Sequence, residues 1–207
     1  MAQSIEHLRA VISSPAGAEE LRLDFGSGPN VKEGFTGVDL LVGPEKIDLM
    51  RFPLPWRTDS VSEINCRHFI QYLPLRNVEP GDIYAPEAER LIGKDFFIAF
   101  FEECYRILAP GRTMSVNCPN ASSDGACADP SIRRTMNQFT FIFLNKDQRH
   151  ANGAGYLPIE MDFHYVITPI GAVELTLLSD DARARKFNEC RNMIHELQVV
   201  LTKKVSG

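Results

Sequence analysis

The stretch that decides the fold is Leu21–Leu40, LRLDFGSGPNVKEGFTGVDL. Leu21–Phe25 is a short apolar run with the character of a β-strand. Glycines 26 and 28 follow it at once, so the backbone can turn tightly and approach a ligand closely. Thr36–Asp39 is a second strand-like segment with an acid at its carboxyl end. The pattern predicts two neighbouring strands joined by a glycine turn.

The glycine turn and the acid beyond it also carry a functional signal. In doubly wound sheets, ligands bind at the carboxyl ends of the strands, and an acid there commonly holds a pair of ribose hydroxyls. Gly26, Gly28 and Asp39 therefore indicate a nucleoside-containing cofactor. The alternative at this point is a tight turn that binds nothing.

The next hundred residues alternate between strand and helix patterns. Ile47–Arg51 is a candidate third strand, and Val61–Phe69 has the alternation of a buried fourth strand. Lys94–Leu108 carries phenylalanines at helical spacing and ends at an Ala-Pro-Gly stop signal, and Arg112–Cys118 follows as a strand. This alternation predicts an α/β fold with a mostly parallel sheet.

The rest of the chain has weaker patterns. Residues 1–20 resemble a short amphipathic helix, and Pro74–Gly93 is a polar, proline-rich insertion. The remaining predicted elements are a helix over Ser131–Asn145, a strand over Met161–Thr168, a helix over Ser179–Arg191 and a terminal strand over Ile194–Lys204. No repeat or low-complexity segment interrupts the chain, so a single domain over residues 1–207 is expected.

Composition narrows the function classes. The net charge is −5, with 44% hydrophobic and 24% charged residues and no lysine- or arginine-rich run. Nucleic-acid binding usually needs a basic surface, so a nucleic-acid substrate is disfavoured. No membrane-span or signal-peptide pattern occurs, which makes a cytoplasmic location the expectation. The five cysteines have no CxxC spacing, so neither disulfides nor a zinc site is indicated.

Five motifs in order resemble the class I S-adenosylmethionine-dependent methyltransferases, across about Leu21 to Asn120. They are LDFGSGPN (23–30), GVDL (37–40), KIDLMRFPLPWRTDSVSEI (46–64), INCRHFIQYL (64–73) and FFEECYRILAPGRTMSVNCPN (100–120). The resemblance implies a Rossmann-like, doubly wound, mostly parallel sheet with an antiparallel C-terminal strand, in three α/β/α layers. Residues 21–120 would form the cofactor-binding core, and residues 121–207 the substrate side and C-terminal strand.

The resemblance also implies S-adenosyl-L-methionine as the cofactor and a set of residues that bind it. Asp39 would bind the ribose hydroxyls, Asp48 and Leu49 the adenine, and Cys66 and Arg67 would lie near the sulfonium. The full set is Asp24, Gly26, Ser27, Gly28, Asn30, Asp39, Leu40, Asp48, Leu49, Cys66 and Arg67.

The sequence departs from the common family pattern in its first crossover. The third glycine of the motif is replaced by Asn30, and ten residues separate Gly28 from Asp39, too few for a normal crossover helix. The first helix is therefore expected to be a turn or absent. A compact subgroup of bacterial and phage methyltransferases shares this short crossover, and the chain resembles that subgroup.

Two histidines are candidate catalytic residues. His68 is a candidate general base for a hydroxyl or amine acceptor, although a histidine packed beside the cofactor is the plainer interpretation. His164 would lie on the substrate side. Glu160, Asp162 and His164 alternate, but a solvated strand face is favoured over a metal site.

The expected activity is methyl transfer to a small-molecule or glycan-like acceptor by a monomer or homodimer. Two alternatives remain open. One is a non-catalytic protein that binds S-adenosylmethionine or S-adenosylhomocysteine, and the other is a nucleic-acid methyltransferase. A nicotinamide dehydrogenase is disfavoured because GSGPN is not GxGxxG.

Overall fold

The computed structural model describes residues 20–43, 45–75, 95–171 and 178–205, which build a seven-stranded sheet with helices packed beside it. The strands are β1 (Arg22–Phe25), β2 (Thr36–Asp39), β3 (Glu45–Lys46), β4 (Val61–Arg67), β5 (Leu108–Pro119), β6 (Phe163–Gly171) and β7 (Ile194–Lys203). The helices are α1 (Phe96–Ile107), α2 (Gln138–Ile142), α3 (Lys146–Ala151) and α4 (Asp180–Glu189).

The strand order is β3-β2-β1-β4-β5-β7-β6. Strands β1 to β5 pair in parallel, whereas β7 runs antiparallel to both of its neighbours, β5 and β6. This is the Rossmann order 3-2-1-4-5-6 with an antiparallel strand inserted between β5 and β6. The predicted Rossmann-like α/β fold, with its antiparallel C-terminal strand, is confirmed.

The link between β1 and β2 contains no helix. It runs from Gly26, directly after β1, to Phe35, directly before β2, and consists of turns and extended chain. The prediction that the first crossover helix is lost is confirmed. Without a helix, the amides of this link must find other acceptors, and two carboxylates supply them, as described for the site below.

Helix α1 packs its phenylalanines against the sheet. Asp95 caps its start by accepting a hydrogen bond from the Phe97 amide at 2.8 Å. Phe100 is fully buried, with its ring 6.3 Å from that of Phe25 on β1 and 5.4 Å from that of Phe101. Burial of each such ring contributes about 1.5–3 kcal/mol, so this face of the sheet holds the main core.

The two faces of the sheet differ in character. Leu23, Phe25, Ile64 and Met114 alternate along their strands on the α1 side and are buried. The opposite face carries polar residues at neighbouring positions of β1, β4 and β5, namely Asp24, Asn65 and Ser115. The polar row ends at the carboxyl ends of the parallel strands, where the candidate site lies. None of the helices that the structure describes is long and apolar enough to span a bilayer.

Two predicted elements differ from the structure. The third strand is Glu45–Lys46 rather than Ile47–Arg51, because the Asp48 carboxylate accepts from the Met50 amide at 2.9 Å and bends the chain into a turn. In the segment 131–145 only Gln138–Ile142 is an α-helix. The amides of Arg133 and Arg134 donate instead to the carbonyl of Gln71, which holds the start of this segment extended.

The predicted N-terminal helix over residues 1–20 and the insertion over Pro74–Gly93 fall almost wholly on residues 1–19 and 76–94. These residues lie outside those that the structure describes.

A buried carboxylate ties the loop before β4 to helix α1. Glu103 is 3% exposed, and its Oε1 accepts from the Leu54 amide at 2.7 Å. Arg106 donates to both oxygens of Glu103 and to the carbonyls of Leu54 and Trp56.

We expect Glu103→Ala to lower the free energy of unfolding by about 2–4 kcal/mol, because it leaves the buried Leu54 amide without its acceptor and removes the carboxylate that pairs with the Arg106 guanidinium. Urea denaturation measures this difference. The control is Glu33→Ala at an exposed position, which should change stability by less than about 0.5 kcal/mol. Equal stability of the two variants would contradict the structural role of Glu103.

Candidate functional site

The candidate site is a cleft at the carboxyl ends of β1, β4 and β5 and the amino-terminal end of β7. Its volume is about 350 Å³. It is lined by Asp24, Gly26, Ser27, Asn30, Arg67, His68, Asn117 and Glu196. Strand order reverses between β1 and β4, and such a switch point is where open α/β sheets bind their ligands.

The glycine turn forms one wall of the cleft. Gly26 has a φ of +63°, and its amide donates to the Val38 carbonyl at 2.9 Å. A Cβ atom at this position would lie 2.7 Å from the ring of Phe69. Gly28 has a φ of +55° and open space where a Cβ would point. Gly26 thus lets the Phe69 ring pack directly against the backbone, and Gly28 leaves open space beside the backbone.

Asp39 holds the glycine turn from the end of β2. Its Oδ2 accepts from the Gly28 amide at 3.1 Å, and its Oδ1 accepts from the amides of Leu41 and Val42 at 2.9 and 3.3 Å. Burial alone would raise the pKa of Asp39, but these amide donors outweigh it and the pKa is lowered. Asp39 is therefore a carboxylate at neutral pH.

Asp24 forms the floor of the cleft and is fully buried. Its Oδ2 accepts from the Lys32 amide at 2.7 Å, and its Oδ1 accepts from the Asn65 side chain at 2.5 Å. The guanidinium of Arg67 lies 3.8 Å from Oδ2. Asp24 thus fixes the far end of the glycine loop and the end of β4 at once.

Arg67 and His68 close the cleft on the β4 side. Arg67 is half exposed and donates to the carbonyl of Asn30 at 3.0 Å, which ties β4 to the glycine loop. His68 has a φ of +52°, and its backbone amide donates to the Asn117 carbonyl at 2.8 Å. Its Nε2 lies 3.2 Å from Oε1 of Glu196 on β7.

Six of the predicted site residues line the cleft: Asp24, Gly26, Ser27, Asn30, Arg67 and His68. Gly28 and Asp39 join it through the hydrogen bond between them, and Leu40 follows Asp39 with 56% of its surface exposed.

Three predicted cofactor residues stand apart from the lining. Asp48 caps its own turn, and Leu49 is 3% exposed within the hydrophobic core. Cys66 is fully buried on the α1 side of β4, where burial raises the pKa of its thiol well above its usual value. The roles that the resemblance implies for these residues stay predictions.

His164 is not brought to the cleft. It pairs with Thr202 on β7, whereas Glu196 marks the cleft end of the same strand. Six residues of strand correspond to about 20 Å at roughly 3.3 Å per residue. Asp162, two residues before His164, pairs with Lys204 at 2.9 Å. Among the described residues no group of three histidine, cysteine, aspartate or glutamate side chains is placed to hold a metal ion.

Two lining residues were missed from the sequence, Asn117 and Glu196. Asn117 lies near the end of β5, beside Arg67 in the sheet register. It belongs to the stretch VNCPN (116–120). Strand alternation alone would place its side chain on the same face of β5 as Ser115, the polar face of the sheet. Glu196 pairs with Pro119 across β5 and β7, and only knowledge of this antiparallel register places it at the cleft.

Comparison with solved structures identifies the same fold in known enzymes. No model of a known protein family matches the sequence, and no curated protein matches it. A SAM-dependent methyltransferase from Archaeoglobus fulgidus superposes with a TM-score of 0.55 at 15% identity, covering 98% of this chain and 92% of that one. A putative S-adenosylmethionine-dependent methyltransferase from Listeria monocytogenes gives a TM-score of 0.49 at 11% identity, covering 99% of each chain.

The first of these matches shows that the chain has the fold of a SAM-dependent methyltransferase over nearly its whole length. The resemblance inferred from the five sequence motifs is therefore confirmed at the level of the fold.

The two glycines of the turn allow a matched stability test. Alanine at either position carries the cost of a left-handed conformation, about 1–2 kcal/mol. Only at Gly26 does the added methyl group also meet the Phe69 ring. We expect Gly26→Ala to unfold at a lower urea concentration than Gly28→Ala, with a difference of about 1–3 kcal/mol. Equal losses would show that the Phe69 contact does not restrict this position.

The lowered pKa of Asp39 predicts a pH-dependent contribution to stability. A carboxyl group whose pKa is lower in the folded state stabilises the protein above its ordinary pKa, and that stability is lost as the pH falls through the folded value. Asp39→Asn should therefore be less stable than wild type at about pH 7, and the difference should shrink below about pH 4. Urea denaturation across this range measures it; a difference that is constant with pH would contradict the role of the charge.

Proposed function

We propose that this chain binds S-adenosylmethionine in the cleft between β1 and β4 and transfers its methyl group to a small polar acceptor. One observation carries the proposal. The glycine turn after β1 and the acid at the end of β2 are joined by the hydrogen bond from Gly28 to Asp39, beside the switch point of the sheet. A nucleoside ligand needs this pairing of an open backbone turn with a hydroxyl acceptor.

The residues present fit such a cofactor. Nothing lies within 4 Å of the position of a Cβ at Gly28, so the ligand can approach the backbone there. Oδ2 of Asp39 accepts one amide and keeps a lone pair for a ribose hydroxyl. On the other side of the turn, the half-exposed guanidinium of Arg67 can bind the carboxylate of the methionine part.

The cofactor supplies an activated methyl group and its leaving group. The chain's own task is to hold the acceptor in line with that group and to exclude water. Asp24 and Asp39 fix the glycine loop from its two sides, and Arg67 ties β4 to the loop at Asn30. These bonds hold the cleft walls in place before any ligand binds, which lowers the entropy cost of binding.

A small acceptor is favoured over a nucleic acid. The chain has a net charge of −5, and the cleft carries acidic groups, Asp24 and Glu196, beside Arg67 and His68. The phosphate backbone of a nucleic acid needs a continuous basic surface, which neither the composition nor this cleft offers. His164 lies about six residues of strand away from the cleft and has no role in the proposal.

Calorimetric titration of S-adenosylmethionine and S-adenosylhomocysteine into the full chain tests the cofactor assignment. We expect binding by the wild type, and at least tenfold weaker binding by Asp39→Ala and by Arg67→Ala, a loss of about 1.4 kcal/mol or more. The matched control, Glu160→Gln, lies at an exposed position beyond the cleft lining and should bind as the wild type does.

Thermal melts of the variants separate loss of binding from loss of folding. Asp39→Ala removes the acceptor of three amides, so Arg67→Ala, which leaves those hydrogen bonds in place, is the more direct reporter of ligand contact. Absence of binding to the folded wild type would rule out the proposed cofactor. Binding without turnover on any acceptor would favour the non-catalytic alternative.

A further inference from the structure

A histidine and a glutamate from distant parts of the chain meet at the mouth of the cleft. Nε2 of His68, directly after β4, lies 3.2 Å from Oε1 of Glu196, near the start of β7. Both side chains are partly exposed, His68 by 49% and Glu196 by 36%, and both line the cleft. A glutamate carboxylate is an acceptor only, so at this distance a neutral imidazole with its proton on Nε2 avoids setting two acceptor lone pairs against each other.

The backbone at His68 is held in an uncommon conformation. Its φ of +52° lies in the left-handed region, which residues other than glycine seldom adopt. The hydrogen bond from its amide to the Asn117 carbonyl on β5 holds the residue there. Strained residues of this kind cluster at functional sites, where the surrounding structure fixes the direction of a side chain. Here the left-handed conformation of His68 turns the chain sharply after β4, at the cleft.

We propose that His68 is the proton acceptor of the transfer reaction and that Glu196 is its positioning residue. The inference rests on the proposed function. With the proton of the neutral ring on Nε2, beside Glu196, Nδ1 keeps its lone pair and is the nitrogen that takes a proton. Glu196 holds the ring in this tautomer and stabilises the imidazolium that forms, which is how a carboxylate supports a histidine base in other enzymes.

The step balances without a further reactant. The O–H or N–H bond of the acceptor breaks, and its proton moves to Nδ1 of His68. The electron pair of the acceptor atom forms a bond with the methyl carbon. The bond from that carbon to sulfur breaks, and its electron pair stays on sulfur, which becomes a neutral thioether. One positive charge is lost at sulfur and one is gained at the imidazole, next to the carboxylate of Glu196.

This pair specifies the class of acceptor. A base is useful where the attacking atom must lose a proton, and a thiol does so near neutral pH with little help. The acceptor that this pair serves is therefore a hydroxyl or an amine that carries hydrogen. The surrounding wall is polar, with Asn117 on β5 and Arg67 on β4. A polar acceptor finds both donors and acceptors of hydrogen bonds there.

The charged groups around His68 come from three strands. Glu196 on β7 is 3.2 Å away, Arg67 precedes His68 on β4, and Asp24 on β1 lies beneath the cleft. Arg67 lies 3.8 Å from Asp24, so its charge is partly compensated. The nearest charge is therefore that of Glu196.

Nuclear magnetic resonance of the full chain with isotope-labelled histidine tests the pair directly. The chain has five histidines, and His68→Asn identifies the His68 signals by their loss. We expect neutral His68 to carry its proton on Nε2. In Glu196→Gln the neighbouring amide can either donate or accept, so a population of the neutral ring with its proton on Nδ1 should appear. The control Glu160→Gln should leave the tautomer unchanged.

A tautomer population that is the same in wild type and Glu196→Gln, or a proton on Nδ1 in the neutral wild type, would overturn the proposal. The same samples titrated with S-adenosylhomocysteine report the cofactor separately. A folded wild type that shows the His68–Glu196 pairing but no binding would count against the proposed function and not against the pair.

Methyl transfer itself gives the second readout. Labelled S-adenosylmethionine is incubated with a panel of polyols, phenols, primary amines, thiols and enolisable ketones. We expect transfer to hydroxyl or amine members, and a lower rate of transfer in Glu196→Gln while its binding of S-adenosylhomocysteine stays as in the wild type. Transfer by His68→Asn at the wild-type rate, or transfer confined to thiols and carbon acceptors, would overturn the assignment.

Discussion

The structure depends on how the short link between β1 and β2 is held. A parallel crossover normally spans a dozen or more residues and uses a helix to satisfy its own amides. Here the Lys32 amide donates to Asp24 and the Gly28 amide donates to Asp39. The two carboxylates therefore do for this link what a helix does elsewhere. The same side chains border the cleft, so the integrity of the sheet edge and the shape of the candidate site rest on the same hydrogen bonds.

Strand β7 makes the second side of the cleft. The parallel strands contribute residues from their carboxyl ends, but β7 runs the other way, so its amino-terminal end reaches the same edge. Glu196 is thereby set opposite His68, although 127 residues lie between them in the sequence. An antiparallel strand at this place lets a late segment of the chain add a charged group to a site built mainly by the first half.

The part of the fold that could be predicted from the sequence is the part that local patterns determine. The glycine turn, the phenylalanine helix and the strands β1, β2, β4 and β5 each have a signal within a few residues. The local pattern of residues 131–145 predicts one helix. The structure departs from it because the start of the segment is bonded to the carbonyl of Gln71, a residue distant in sequence, which no local pattern reveals. Glu196 was missed for the same reason, since its place follows from sheet register and not from any spacing along the chain.

The fold alone does not determine the chemistry, since one scaffold supports many reactions. The balance of charge around the cleft bears on the chemistry of this chain. Asp24, Asp39 and Glu196 bring three carboxylates, against Arg67 and a histidine that is ordinarily neutral near pH 7. A cationic ligand would offset this excess, and a sulfonium is one such cation. Once the positive charge at sulfur is lost, a proton on His68 beside Glu196 would restore the balance, which links the choice of cofactor to the proposed direction of proton movement.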